Sequence, residues 1–287
     1  MISGEKSYPK VSVVVAVYNR IHLTKTFLQN FTRVTYPNYE LIIVDDGSTD
    51  GTSNMIMKEF SYVRILKREG NLWWSKATNI GVSDATLRGA DYILIMNDDV
   101  VFEPDFLFHL VAYAEAHPRA IVGSIIYDFN NRSQLWYAGG KRNLWAGELQ
   151  HRASLNDDEI FWLTGMGTLL PVQVFEEVGF YDDKRFPQYS GDADLSIRAR
   201  KQGYSLAIEP KSILWNKTED SGDEIIRRGV TLKTLFTPLF SRRSVSKLSV
   251  RVNLYWRYWP ALFIPIGFIS YYMRFFIRQI LYFLKLR

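Results

Sequence analysis

The stretch Tyr92–Phe102, YILIMNDDVVF, constrains the fold of this chain more than any other. Ile93, Leu94, Ile95 and Met96 follow one another without polar alternation, the habit of a strand covered on both faces in a parallel sheet between helix layers. The run stops abruptly on Asn97, Asp98 and Asp99. In open α/β sheets ligands bind outside the carboxyl ends of strands, and adjacent carboxylates there can hold a hard divalent cation against a phosphorylated substrate. The plainer alternative makes Asp98 and Asp99 solvated loop residues ahead of a helix that Pro104 begins.

Other segments repeat the pattern. Val11–Val17, VSVVVAV, is a second strand of the buried type and runs into Tyr18, Asn19 and Arg20. A short helix over Thr24–Phe31 precedes a strand over Glu40–Val44, which ends on Asp45-Asp46-Gly47-Ser48. Ser48, Thr49 or Asp50 can cap the helix that follows, to about Phe60. Val63–Lys67 is a further strand, broken by Gly70 and Asn71, and a helix spans about Ser75 to Leu87. Strands alternating with helices mean right-handed crossovers and a mostly parallel sheet. Beyond it, Ala120–Tyr127 and Ser205–Ile208 read as strands, Gln134–Gln150 as a hairpin or loop, and Pro171 as the start of a helix. The sheet is therefore expected to become mixed. Trp136, Tyr137, Trp145 and Trp162 are expected to fill core, with stacking on sugar rings as the alternative.

Two strands ending in acidic pairs suggest a nucleotide site with a metal beside a diphosphate. A Rossmann dinucleotide site is excluded, because no G-x-G-x-x-G follows the first strand, and no G-x-x-x-x-G-K-[ST] occurs.

These segments together resemble the ordered motifs of family-2 glycosyltransferases with the GT-A fold, including rhamnosyltransferase-like bacterial surface-polysaccharide enzymes. The resemblance rests on PKVSVVVAVYNR, LIIVDDGSTDGT, GNLWWSKATNIGV, YILIMNDDV, WLTGMGTLLP and FPQYSGDADLSIRARKQGY, in that order from Pro9 to beyond Asp194. It implies transfer of a sugar from a nucleotide-diphosphate donor, a UDP- or dTDP-sugar, with inversion at the anomeric carbon and Mg2+ or Mn2+ as cofactor. It places Ala16, Tyr18 and Asn71 beside the donor nucleotide, Asp46 on the imide of a uracil or thymine base, and Asp98 near the ribose. Asp99 becomes the metal ligand of a motif usually written D-x-D, whose first acid is here Asn97. Thr164, Gly165 and Met166 border the acceptor pocket. Asp192 matches the general base, with Asp194 a second candidate because Gly191 stands where Glu is common. Trp73-Trp74 and Thr78 also depart from the family pattern, as does Lys217, near where many relatives place a His; Lys217 is a candidate diphosphate contact or an exposed lysine.

Charge divides the chain. Its net charge of +5 conceals that twelve of the 35 Lys and Arg, and none of the 30 Asp and Glu, lie at or after Ile225. Residues 1–224 are thus an acidic catalytic domain, and 225–287 a basic, aromatic helical region. Such asymmetry points to a polyanion, and long apolar runs favour an anionic membrane surface over nucleic acid. Tyr258–Met273 carries no charge over sixteen residues. As a helix it covers about 24 Å against a hydrocarbon core of about 30 Å, so it is read as re-entrant or embedded in one leaflet. Tyr271–Arg287 puts Arg274, Arg278 and Lys285 on one helical side, the makeup of an interfacial helix; a homodimer interface is the rival. The absence of cysteine and of an apolar N-terminal stretch in MISGEKSYPK fits a cytoplasmic enzyme, peripheral or monotopic on the inner face of the plasma membrane.

The expected activity is inverting, metal-dependent sugar transfer to a hydroxyl of a lipid-linked saccharide in cell-surface polysaccharide synthesis. A processive polysaccharide synthase would carry Q-x-x-R-W and several membrane spans, and a catalytically silent membrane-surface scaffold would not need Asp46, Asp99 and Asp192 intact.

Overall fold

A computed structural model describes residues 8–152, 154–155, 159–217, 231 and 234–284. Successive residues of the central strands serve opposite layers. In β1 (Val11–Val17) and β4 (Tyr92–Met96), Val11, Val13, Val15, Leu94 and Met96 pack into one core with Phe27, Leu28 and Phe31 of α1 (Ile21–Phe31), Met55 and Ile56 of α2 (Thr52–Glu59), and Phe106 and Leu110 of α4 (Phe106–Ala116). Val14, Ile93 and Ile95 pack into the other with Val82 and Ala85 of α3 (Trp73–Leu87) and Leu195 and Ala199 of α6 (Gly191–Lys201). Both faces are covered, which is why these strands lack polar alternation.

The strands β3 (Arg64–Lys67), β2 (Tyr39–Asp45), β1 and β4 run parallel in that spatial order. Antiparallel β10 (Thr168–Pro171) then joins β4 to β6 (Ala120–Asp128), and β11 (Ser205–Asn216) and β5 (Val100–Phe102) complete the path. β7 (Leu135–Tyr137) pairs with β6, while β8 (Gly140–Asn143) and β9 (Glu148–His151) form a separate hairpin. The expected mixed sheet is therefore present. Three boundaries differ from expectation: Val100–Phe102 is its own antiparallel strand, β11 runs on past a bulge between Glu209 and Ile213, and Pro171 ends a strand, leaving α5 only Gln173–Glu177. Of the four aromatic residues expected in the core, Tyr137 and Trp162 are buried there and Trp145 is exposed.

The C-terminal part contributes α7 (Thr237–Phe240), α8 (Leu248–Tyr258) and α9 (Phe263–Phe283). The expected domain boundary at 224/225 and the basic residues Arg227, Arg228, Lys233, Lys285 and Arg287 lie outside the described residues. Tyr255 of α8 donates its hydroxyl to Gly147 O (2.9 Å). The interfacial-helix expectation is corrected in its orientation: Arg274 bonds Ala146 O (2.5 Å) and pairs with Glu148 (3.0 Å), and Arg278 also reaches Glu148 (3.4 Å). These cations face the β8–β9 hairpin, and α9 leaves exposed an apolar row of Ile269, Met273, Ile277 and Ile280, which Leu284 just beyond it extends. No helix among the described residues is long and apolar enough to cross a membrane.

Candidate active site

Because β1, β2 and β4 are parallel neighbours, the loops that follow them emerge at one edge of the sheet. Asn19, with a left-handed φ of 51°, stitches two of these loops together. Its side-chain oxygen accepts the Thr49 N–H (2.7 Å), and its own N–H reaches the Ser48 hydroxyl (2.9 Å). Ala16 sits near the end of β1, and Tyr18 beyond it is exposed. Asp46, expected on a base imide, accepts the backbone N–H groups of Leu72 (2.9 Å) and Trp73 (3.0 Å) instead. A base can reach that carboxylate only through its remaining lone pairs or by displacing the start of α3. Asn71 is exposed and accepts the Trp73 indole N–H (3.0 Å).

At the end of β4, one guanidinium serves two acids. Arg20 Nη2 donates to Asp99 Oδ2 (2.8 Å), and Arg20 Nη1 stands 3.2 Å from Asp98 Oδ1. Asp98 is buried and takes the Thr24 hydroxyl on its other oxygen (2.7 Å). Burial pushes the Asp98 carboxyl up to about 6, with Arg20 opposing the rise and Asp99 adding to it. Oδ1 of Asp98 and Oδ1 of Asp99 are buried acceptors that receive no hydrogen bond. Buried acceptors without donors are uncommon and costly, and two such oxygens on adjacent carboxylates suit a divalent cation. Mg2+ in particular is held by one or two carboxylates plus substrate phosphates, so the residues fit one, although no group of three or more ligating side chains occurs among the described residues. Lys217 N–H lies 3.4 Å from Asp99 O, which brings Lys217 to the same edge; its ammonium rests 4.7 Å above the Phe129 ring.

Trp74 joins this cluster to the second acid. Its indole N–H donates to Asn97 Oδ1 (3.3 Å), and its ring lies against Gly165, where a Cβ would come within 2.6 Å of the indole. Gly165 N–H in turn donates to Asp192 Oδ2 (2.9 Å). The chain Asn97, Trp74, Gly165, Asp192 therefore spans from the end of β4 to the start of α6. Gly191 is explained by the same packing: a Cβ there would lie 2.5 Å from the Ser75 hydroxyl, so the glutamate common in the motif has no room.

Asp192 and Asp194 are separated sharply by their surroundings. Asp192 also accepts the Ala193 N–H (2.9 Å), and burial raises its pKa against these hydrogen bonds. A small cavity beside it is lined by Thr164, Gly165, Thr168 and Tyr181. Asp194 is fully buried and gripped by Arg198 (2.8 Å), Arg257 (2.5 Å) and the Tyr258 hydroxyl (2.5 Å). It ties α6 to α8, and its carboxylate oxygens are engaged by these partners. Thr164 N–H donates to the Tyr137 hydroxyl (2.9 Å), and Met166 is buried nearby. Sequence reasoning missed Arg20 and the bridging part of Trp74. The signals were an arginine just past a strand end and an indole pair where the motif usually has small residues.

A family model described as glycosyl transferase family 2 matches residues 12–179. The N-acetylglucosaminyl-diphospho-decaprenol L-rhamnosyltransferase of Mycobacterium tuberculosis is 26% identical over 237 residues, which cover 73% of this chain and 77% of that protein. The poly-beta-1,6-N-acetyl-D-glucosamine synthase of Staphylococcus aureus is 22% identical over 71% of this chain, and the match spans about half of that protein's length, 49%. Among solved structures, a mannosyltransferase from Pyrobaculum calidifontis, in complex with GDP-Man and Mn2+, aligns with a TM-score of 0.59 at 15% identity, over 97% of this chain and 88% of that one. The mixed sheet with flanking helices is thus GT-A-like.

Proposed function

The chain belongs to glycosyl transferase family 2 and is a glycosyltransferase; on that premise we propose that it is an inverting, cation-dependent enzyme which moves a sugar from a UDP- or dTDP-sugar to a hydroxyl of a lipid-linked saccharide, in synthesis of a cell-wall or surface polysaccharide. The observation that supports this reading is the Asn97–Trp74–Gly165–Asp192 chain of contacts, which links the end of β4 beside Asp98 and Asp99 to the start of α6.

In this mechanism Asp192 takes the proton of the acceptor hydroxyl as its oxygen attacks the anomeric carbon and the bond to the diphosphate breaks on the opposite face. A positioned carboxylate base contributes about 10²–10⁴-fold, and burial of Asp192, by raising its pKa, strengthens it as a base. Asp99 and Asp98 would hold Mg2+ or Mn2+, which supplies Lewis-acid stabilisation of the departing diphosphate. Arg20 and Lys217 stand at the same edge to add positive charge. Trp74, in contact with Asn97 and Gly165, joins the donor-side acids to the acceptor-side loop. The lipid-linked acceptor is supported by similarity to the mycobacterial N-acetylglucosaminyl-diphospho-decaprenol L-rhamnosyltransferase. Attachment to a cytoplasmic membrane face is supported by the exposed apolar row of α9 and the basic composition after residue 224. Replacing Met273 and Ile277 by Glu should free the full chain from anionic vesicles, and unchanged partitioning would remove that part.

Transfer assays on a panel of UDP- and dTDP-sugars test the core of the reading. Activity should require Mg2+ or Mn2+ and collapse in Asp99→Ala, whereas full activity in EDTA would refute the cation role.

A further inference from the structure

Between the last turns of α6 and the α8–α9 junction lies a second pocket, of about 490 Å³. Four cations line it: Arg142, Arg200, Lys201 and Arg257. Arg257 is neutralised by Asp194 and Asp182 (2.6 Å), and Arg200 pairs with Glu159. Arg142 and Lys201 have no carboxylate partner among the described residues. Arg142 instead lies 4.4 Å above the Phe161 ring and donates to Tyr258 O, and Lys201 lies 5.1 Å above the Tyr258 ring. Burial, and then the like charge of Arg200, lower the pKa of Arg142. A half-buried guanidinium held by a ring face and a carbonyl, with another cation beside it, is a position where an arriving anion gains more than it would at a solvated surface.

Two exposed apolar side chains flank the pocket wall in sequence. Trp256, 82% exposed, directly precedes Arg257, and Leu262, 75% exposed, follows Pro260 of the wall by two residues. A small inorganic anion would make no use of these side chains. An anion attached to an apolar chain could use both the cationic pocket and the apolar side chains that adjoin its wall in sequence.

We propose that this pocket binds the phosphate group of a lipid phosphate ester, with Arg142 and Lys201 on the phosphate oxygens and Trp256 and Leu262 against the hydrocarbon. The inference rests on the lipid-linked acceptor reading and deepens it, because it assigns the lipid end of the acceptor, or a membrane headgroup, to residues outside the catalytic cluster. Lys201 lies nine residues along α6 from Asp192, about 13 Å at helical rise and half a turn round the helix, so an acceptor that reaches both must be long enough to pass round α6.

Calorimetric titration of the full chain in EDTA, with farnesyl diphosphate and with inorganic pyrophosphate, tests this. Farnesyl diphosphate should bind at least about tenfold more tightly than pyrophosphate, and Lys201→Glu and Arg142→Gln should each weaken it by about tenfold, the size expected for loss of one charge-assisted contact. Lys201 is exposed, so its variant tests the site even if Arg142→Gln fails to fold. Phosphatidylcholine vesicles containing phosphatidylglycerol serve as competitor: displacement assigns the site to membrane headgroups, no displacement assigns it to a prenyl-type diphosphate, and either keeps the lipid-phosphate chemistry. Equal affinity for pyrophosphate, or unaltered binding in Lys201→Glu, overturns the proposal. Asp99→Asn separates the two readings, since it should abolish cation-dependent UDP or dTDP binding while leaving farnesyl diphosphate binding intact.

Discussion

Two clusters in this molecule bury carboxylates against arginines, and they differ in the balance of charge. At the end of β4, Asp98 and Asp99 share one guanidinium, and two of their oxygens receive no hydrogen bond. At the junction of α6 and α8, Asp194 alone is met by two guanidinium groups and a tyrosine hydroxyl. Removing a carboxylate from water is costly unless partners replace the lost hydration. Where replacement is complete, the cluster fastens elements together. Where acids remain in excess, as at Asp98 and Asp99, the cluster carries net negative charge, which suits the cation-binding role proposed for it. Burial alone therefore does not separate the two clusters; the balance of charge and of hydrogen bonds does.

The sharpest way to break this comparison is to mutate the neighbours Asp192 and Asp194 in parallel. Asp192→Asn should lower turnover by about 10²–10⁴-fold while nucleotide binding persists, as measured by transfer rates and nucleotide titration. The rate of the parent protein should fall as pH drops through a pKa above the usual carboxylate range, because burial holds the Asp192 proton on more tightly and only the ionised form accepts a proton; an acid limb at the ordinary carboxylate value would count against Asp192. Asp194→Ala should act on folding instead, costing about 3–5 kcal/mol because it removes the buried carboxylate that Arg198, Arg257 and the Tyr258 hydroxyl share; denaturant unfolding measures it, and a loss below about 1 kcal/mol would deny that tie between α6 and α8. The smallest expected effect is at Arg20. Arg20→Gln removes the internal competitor for Asp99, so Mn2+ alone should bind up to about tenfold more tightly, and weaker binding would show that Arg20 supports the cation rather than competing with it.

Much of this was legible from residue order. The central strands announce themselves because burial on both faces forbids polar alternation, and their acidic ends follow directly. The short strand Val100–Phe102 did not, since its apolar residues read as a continuation of β4 across the acids. The capture of Asp46 by the start of α3 depends on left-handed backbone at Asn71 and Trp73, and neither residue type signals that conformation as glycine would. Asp194 stayed a second candidate in sequence, because two of the three partners that lock it lie 63 and 64 residues away. Gly191 looked like a lost acid until the approach of Ser75 gave it a steric reason.

The central claim is that the cation position and the base belong to one site spanned by Trp74. Fluorine NMR of 5-fluorotryptophan-labelled protein tests it directly, with the Trp74 signal assigned through Trp74→Phe. Addition of Mn2+ with UDP or dTDP should broaden the Trp74 resonance severely, through Asn97 beside the ligand Asp99, spare the exposed Trp145, and fail to do so in Asp99→Asn. A Trp74 signal left sharp at saturating Mn2+ and nucleotide would place the cation elsewhere and contradict the single-site account.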